Sequence, residues 1–239
     1  MIDISLFRDG LNPYFEGFIS DIEPSDTSNT WFRDMYLDRA GSMLVRRCQQ
    51  HIRQFRSGTN RTGLVVVVHP FYNLFEFPGH YLGITEYQEK VEDVTSKTCH
   101  LINNLDRKNS NLVLFESPEH YARFSSWFLE AGLVDDVVLT RADSGNPLTF
   151  EGMKCIANKE GVFVGGEYSD YCVKNAVEML MIFVPTRRLF YIGEMLLPSP
   201  KLYLTPGEEQ PEWMRRVGRV SVSDLCKSGK VVDDYAQTF

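Results

Sequence analysis

The chain has 239 residues, 43% hydrophobic and 24% charged, with 17 Gly and 11 Pro, a composition that excludes collagen-like, disordered and disulfide-stapled classes. Its 25 Lys and Arg against 32 Asp and Glu leave a formal charge of −7, which repels phosphate backbones and anionic lipid heads and argues against nucleic acid and membrane as partners. A chain this long can bury roughly 70% of its unfolded surface, so one sizeable domain needs neither a metal nor a disulfide to stay folded.

Residues 1 to about 30 mix Phe7, Tyr14, Phe15 and Phe18 with turn formers such as Asn12, Pro13 and Gly17, which predicts an extended arm packed on the body. From Trp31 to Phe55 the apolar residues Met35, Leu37, Met43, Leu44, Ile52 and Phe55 recur at helical spacing, with Gly41 as a candidate break. The arginines between Arg39 and Arg56 make this helix basic, and a basic helix face is usually just solvated. Arm and helix form residues 1–60 of the expected organisation, followed by an α/β core over 61–198 and a C-terminal extension over 199–239.

Within the core, Leu64 to Val68 is a continuous apolar run of the kind found in a strand covered on both faces. Thr85 and Gln88 then open a long helix with Tyr87, Val91, Val94, Leu101, Ile102 and Leu105 on one side. Asn111 to Phe115 reads as a second strand, Ser117-Pro118 as a helix cap, and Gly132 as that helix's stop. Val137 to Leu139 is a third strand, whereas residues 142–160 fit either a short helix or a hairpin. Val162 to Val164 leads through Gly165-Gly166 into a helix carrying Cys172, Val173, Ala176, Val177 and Leu180, and Leu189 to Ile192 is a fifth strand. This alternation predicts a three-layer α/β/α sandwich on a mostly parallel, Rossmann-like sheet. Beyond Pro198 the Pro- and Glu-rich sequence, with Val217 to Val222, reads as peripheral.

Cys48, Cys99, Cys155, Cys172 and Cys226 form no Cys-x-x-Cys pair, so zinc-ligand spacing and a secreted disulfide framework are both lacking. No basic N-terminal stretch leads into an apolar core and no run reaches the ~20 apolar residues of a membrane span. The expected location is cytoplasmic.

In open α/β sheets ligands bind beyond the carboxyl ends of the strands. Of the loops there, Gly165-Gly166-Glu167-Tyr168-Ser169-Asp170-Tyr171-Cys172-Val173-Lys174 carries the most chemistry. A thiol on the first turn of a helix feels the dipole and unpaired N–H groups, which favour thiolate; a buried cysteine packed with Ala176 and Leu180 is the competing reading. The segment resembles the nucleophile segment of the isochorismatase-like cysteine hydrolases, nicotinamidases included, with Ser169 where that family usually has threonine. The resemblance implies Cys172 as nucleophile. At the family's aspartate position, on the loop Val68-His69-Pro70-Phe71-Tyr72-Asn73-Leu74-Phe75, it places His69, and at its lysine position Arg141.

A histidine can serve as base toward a thiol, while an arginine supplies charge without exchanging a proton. Backbone N–H groups at Tyr171 and Cys172 would stabilise an oxyanion. Phe71, Tyr72, Gly166, Tyr168 and Tyr171 are the candidate substrate contacts. Two functions stay open: cysteine-dependent hydrolysis of a small amide or related C–N bond, and a non-catalytic ligand-binding or oligomer-forming module of the same fold with an eroded triad. The family's Asp-x-His metal pattern is missing here, and His80, His100 and His120 have no such spacing, so no metal and no other cofactor is expected. The expected partner is a small-molecule substrate or ligand, and the aromatic arm would suit a homo-oligomer contact. Glu116-Ser117-Pro118-Glu119 is explained by helix capping, with Glu119 complementing the dipole.

Overall fold

The computed structural model describes residues 39–58, 60–75, 85–149, 153, 156–205 and 211–227. The aromatic arm and residues 31–38 of the first predicted helix lie outside these. Helix α1 (Arg39–Phe55) runs without interruption through Gly41. It is followed by β1 (Gly63–Val68), the short α2 (Tyr72–Phe75), α3 (Thr85–Asn104) and β2 (Ser110–Glu116). Next come α4 (Pro118–His120), a π turn over Tyr121–Ser125, α5 (Ser126–Glu130), β3 (Asp136–Leu139) and β4 (Gly161–Glu167). The chain continues through α6 (Cys172–Phe183), β5 (Leu189–Leu197), α7 (Pro200–Tyr203), a 3-10 turn at Glu212–Arg215, β6 (Gly218–Val220) and α8 (Val222–Cys226).

The strands form one sheet in the order β3-β2-β1-β4-β5-β6, with every pair parallel. A strand buried on both faces has no polar side to alternate with, and β1, β2 and β4 are buried at every position. One face carries Val65, Val67, Leu112, Leu114, Phe163 and Phe190 against α1, α3, α5 and α8. The other carries Leu64, Val66, Val113, Val162 and Val164 against α6 and Trp213. The three-layer α/β/α sandwich expected from the alternation of elements is therefore what the chain adopts.

Of the stretch expected as a short helix or a hairpin, residues 150–152, 154 and 155 lie outside those described; its first part makes a turn at residues 142–144 closed by an antiparallel bridge, Thr140 to Pro147, which adds no strand to the parallel sheet. One segment departs from expectation. The C-terminal segment is not merely peripheral: Gly218–Val220 pairs with Phe190–Ile192 as the edge strand, and Val220, Val222 and Leu225 enter the core. Three residues with one buried side chain give no readable periodicity, which is why the strand is invisible before folding.

The N-terminal end of the helical segment after β2 is fixed as anticipated. The Ser117 side chain accepts from the His120 N–H at 3.2 Å, and Pro118 takes the first helical position. Gly132 ends α5 in the left-handed region at φ +67. Helix α1 is tied to this unit by polar contacts: His51 Nδ1 lies 2.7 Å from the Tyr121 hydroxyl, and His51 Nε2 lies 2.9 Å from Glu130.

Strand order reverses between β1 and β4, and the two strands approach most tightly at Gly166. Its φ is +136, and a Cβ there would stand 2.1 Å from the Val68 carbonyl oxygen. Gly166→Ala is therefore expected to cost about 3 kcal/mol in stability through backbone strain and forced separation of the central strands, measured by urea unfolding.

Candidate functional site at the strand switch point

Val68 is aligned with Phe115 on one side and Gly166 on the other, so the next residues, His69, Glu116 and Glu167, stand abreast at the carboxyl ends of β1, β2 and β4. This is the topological switch point of the sheet, the position beyond which ligands of open α/β sheets bind. All three side chains are buried. The backbone leaves the strands abruptly: His69 at φ 46, Phe71 at φ 68 and Tyr168 at φ 62 are the non-glycine residues with positive φ among those described. Bulky side chains avoid this region, and such strain concentrates at ligand sites and switches.

The buried polar groups are held in two networks. Glu116 accepts from the Ser117 N–H at 3.0 Å and from the Ser125 hydroxyl at 2.7 Å, and its Oε2 lies 2.7 Å from His120 Nδ1. Glu119, equally buried, lies 2.6 Å from Arg123. On the β4 side, Glu167 Oε2 accepts from both the backbone N–H and the side-chain amide of Asn73, at 2.7 and 2.5 Å. The Tyr168 hydroxyl donates to Asn73 Oδ1 at 3.1 Å. Between the networks, His69 Nε2 lies 2.9 Å from Thr140 Oγ1, while its Nδ1 has no hydrogen-bond partner among the described residues. Tyr72 fills the middle, its ring 5.7 Å from that of His69, 6.0 Å from His120 and 6.3 Å from Tyr168.

Burial controls the protonation of this layer. It pushes His69 down to about 4, against the opposing field of Glu116, and pushes Glu167 up to about 7, against the Asn73 hydrogen bonds that favour the carboxylate. An imidazole kept neutral and a carboxyl poised near neutrality are groups able to hold and exchange protons. Among the described residues, no group of three or more His, Cys, Asp or Glu is placed to hold a metal ion.

The predicted triad is not assembled as expected. Cys172 does open α6, but its side chain is 2% exposed within the apolar cluster of Val68, Val164, Ala176 and Leu180. Burial pushes the thiol up to about 12, aided by the negative fields of Asp143, Glu167 and Asp170. Desolvation thus opposes the thiolate that the helix terminus is expected to favour. No hydrogen bond joins His69 to Cys172: the imidazole is at the switch point but engages Thr140 instead. Arg141 is exposed at the turn after β3, outside the buried layer.

The Tyr171 N–H expected to face an oxyanion donates to the Tyr168 carbonyl at 2.9 Å, and the Tyr171 side chain is 54% exposed. Phe71 is core rather than pocket wall, with its ring 5.7 Å from both Phe124 and Phe128. Tyr72 and Gly166 are buried at the switch point, and Tyr168 is half-buried there. Sequence reasoning assigns Glu116 to a capping segment and His120 to no site, and it gives Glu167, Asn73 and Thr140 no role although the loops that carry them are among the candidate stretches. The available signal was a glutamate closing each of two strands after an apolar or glycine run, Leu112–Phe115 and Val162–Gly166, where a surface residue would be unexpected.

No family model and no curated protein matches this chain. Among solved structures, N-carbamoylsarcosine amidase from Thermoplasma acidophilum aligns with 67% of this chain and 96% of its own, at 16% identity and a TM-score of 0.44. No helix among the described residues is long and apolar enough to cross a membrane.

The two displaced protonation equilibria act on stability in opposite directions. Glu167 keeps its proton in the fold where the unfolded chain has lost it, so its contribution declines as pH rises from 4.5 to about 7. The contribution of His69, protonated more readily when unfolded, grows from about 4 to 6.5. Glu167→Gln removes the first effect, so its unfolding free energy relative to the parent should rise by about 3 kcal/mol across pH 4.5–7.5. Urea titrations followed by tryptophan fluorescence measure this difference; a pH-independent gap would show that Glu167 is ionised in the fold throughout.

Proposed function

We propose that this chain is a non-catalytic small-molecule-binding module on an α/β/α hydrolase-like fold, holding a small carboxamide at the switch point without hydrolysing it. The observation that carries this reading is the thiol of Cys172, sealed in the apolar interior and pushed up to about 12. Thioester chemistry needs a thiolate that a substrate can reach. The resemblance of the Cys172 segment to the isochorismatase-like hydrolases supplies the ligand class.

Three features support binding at the switch point. The position is the one where open parallel sheets take their ligands. The positive-φ residues His69, Phe71 and Tyr168 gather there, and His69 Nδ1 is a buried polar atom without a partner among the described residues. Such an atom carries a desolvation cost that a ligand's N–H or C=O group would relieve once the buried layer opens to admit it, since His69 is 0% exposed.

The test has two arms. Under iodoacetamide from pH 5 to 9, with labelled peptides mapped, Cys172 is expected to stay unmodified while the half-buried Cys226 reacts. Acetamide and nicotinamide are expected to raise the melting temperature without release of ammonia. Selective labelling of Cys172 below pH 8.5, or ammonia release lost in Cys172→Ser, would overturn the reading and restore a cysteine hydrolase. Absence of any thermal shift would remove the binding role.

A further inference from the structure

Away from the switch point, the flank of the sheet formed by β5 and β6 carries a cavity of about 310 Å³, at the small end of the roughly 300–1,000 Å³ typical of ligand pockets. Its walls are Tyr191, Leu196, Tyr203 and Met214, and its charged group is Arg219. Both aromatic walls are steadied from behind. The Tyr191 ring meets Trp213 edge-on at 5.8 Å, and the Tyr203 ring meets Tyr87 at 5.2 Å. Trp213 is fixed in turn by donating its indole N–H to the Ser169 carbonyl at 3.0 Å.

Arg219 reaches the cavity because residue 193 has no side chain. A Cβ on Gly193 would stand 2.5 Å from Arg219 Nε and 3.0 Å from Nη2, so the guanidinium lies directly against the β5 backbone. Arg219 makes no ion pair or hydrogen bond with a described residue, and none of the described residues lining the cavity is acidic. An arginine offering a fork of donors beside a cavity of mixed polar and apolar lining matches a carboxylate bidentately, while the aromatic side chains in its walls take a flat apolar body.

We propose that this cavity is a binding site for a small aromatic monocarboxylate, its carboxylate on the Arg219 guanidinium and its ring between Tyr191 and Tyr203. The site adjoins the loop after β4 through Ser169 but does not depend on the function assigned at the switch point.

Sodium benzoate is the probe and benzyl alcohol its uncharged counterpart, titrated at constant ionic strength by calorimetry and by amide chemical shifts of the full chain. Benzoate is expected to bind and to perturb amides of residues 191–196 and 214–219, with benzyl alcohol at least tenfold weaker. Arg219→Gln should lower benzoate affinity at least tenfold, as the exposed residue can change without loss of core packing. Gly193→Ala, whose Cβ displaces the guanidinium but leaves its charge in place, should do the same. Equal affinity for the two probes, or unchanged benzoate binding in Arg219→Gln, would overturn the proposal, as would shifts confined to other parts of the chain.

Discussion

Three strands that end at the same level, each buried on both faces, leave their next residues nowhere to go but a shared layer without water. In this protein those residues are His69, Glu116 and Glu167, and their desolvation is the constraint that the surrounding structure answers. Unpaired buried charge is costly, and it is tolerated only when hydrogen bonds are supplied or the group is neutralised. Both solutions occur here. Glu116 collects the Ser117 N–H, the Ser125 hydroxyl and a close approach to His120, whereas His69 and Glu167 are displaced toward their neutral forms. The π turn at Tyr121–Ser125 brings Ser125 back toward Glu116, nine residues earlier, and Asn73 is drawn from α2 onto Glu167.

The Cys172 thiol stands apart from this layer. A cysteine at a strand-to-helix junction can be nucleophilic when its sulfur meets water, a base and a helix terminus together. Cys172 has the terminus alone. Its sulfur turns into the cluster between the sheet and α6, and the nearby carboxylates Glu167, Asp143 and Asp170 act against a thiolate. The loop after β3 closes over the helix start: Gly145 lies so close that a Cβ would stand 2.7 Å from the Cys172 carbonyl oxygen, and Asn175 donates to the Ser144 carbonyl. At the switch point the structure gathers buried hydrogen-bonding groups and positive-φ backbone.

The edge of the sheet follows another logic. Strand β5 extends past the residues that pair with β6, and a register irregularity against β4 between Val164 and Gly166 shifts its later residues. At that end Gly193 gives up side-chain packing to admit the Arg219 guanidinium, and the aromatic residues around it are braced by their neighbours. A guanidinium beside aromatic walls suits an anion that carries its own apolar surface.

Composition and periodicity by themselves determined the α/β class, five of the six strands, the Ser117 cap and the Gly132 stop, because each depends on local backbone preference and on which positions must be buried. They also singled out the loops after β1 and β4, since strand ends are visible wherever an apolar run gives way to glycine and polar residues. The tertiary structure alone decided which atoms meet there. Whether Cys172 faced a cavity or the core depended on α6 rotating its first turn onto Val164 and Val68, and whether Glu116 and Glu167 were solvated depended on three strands ending in register. The pairing of β6 with β5 was likewise set by a partner distant in sequence. Burial of a side chain is a property of its neighbours across the sheet, and those neighbours are chosen by packing rather than by the spacing of residues along the chain.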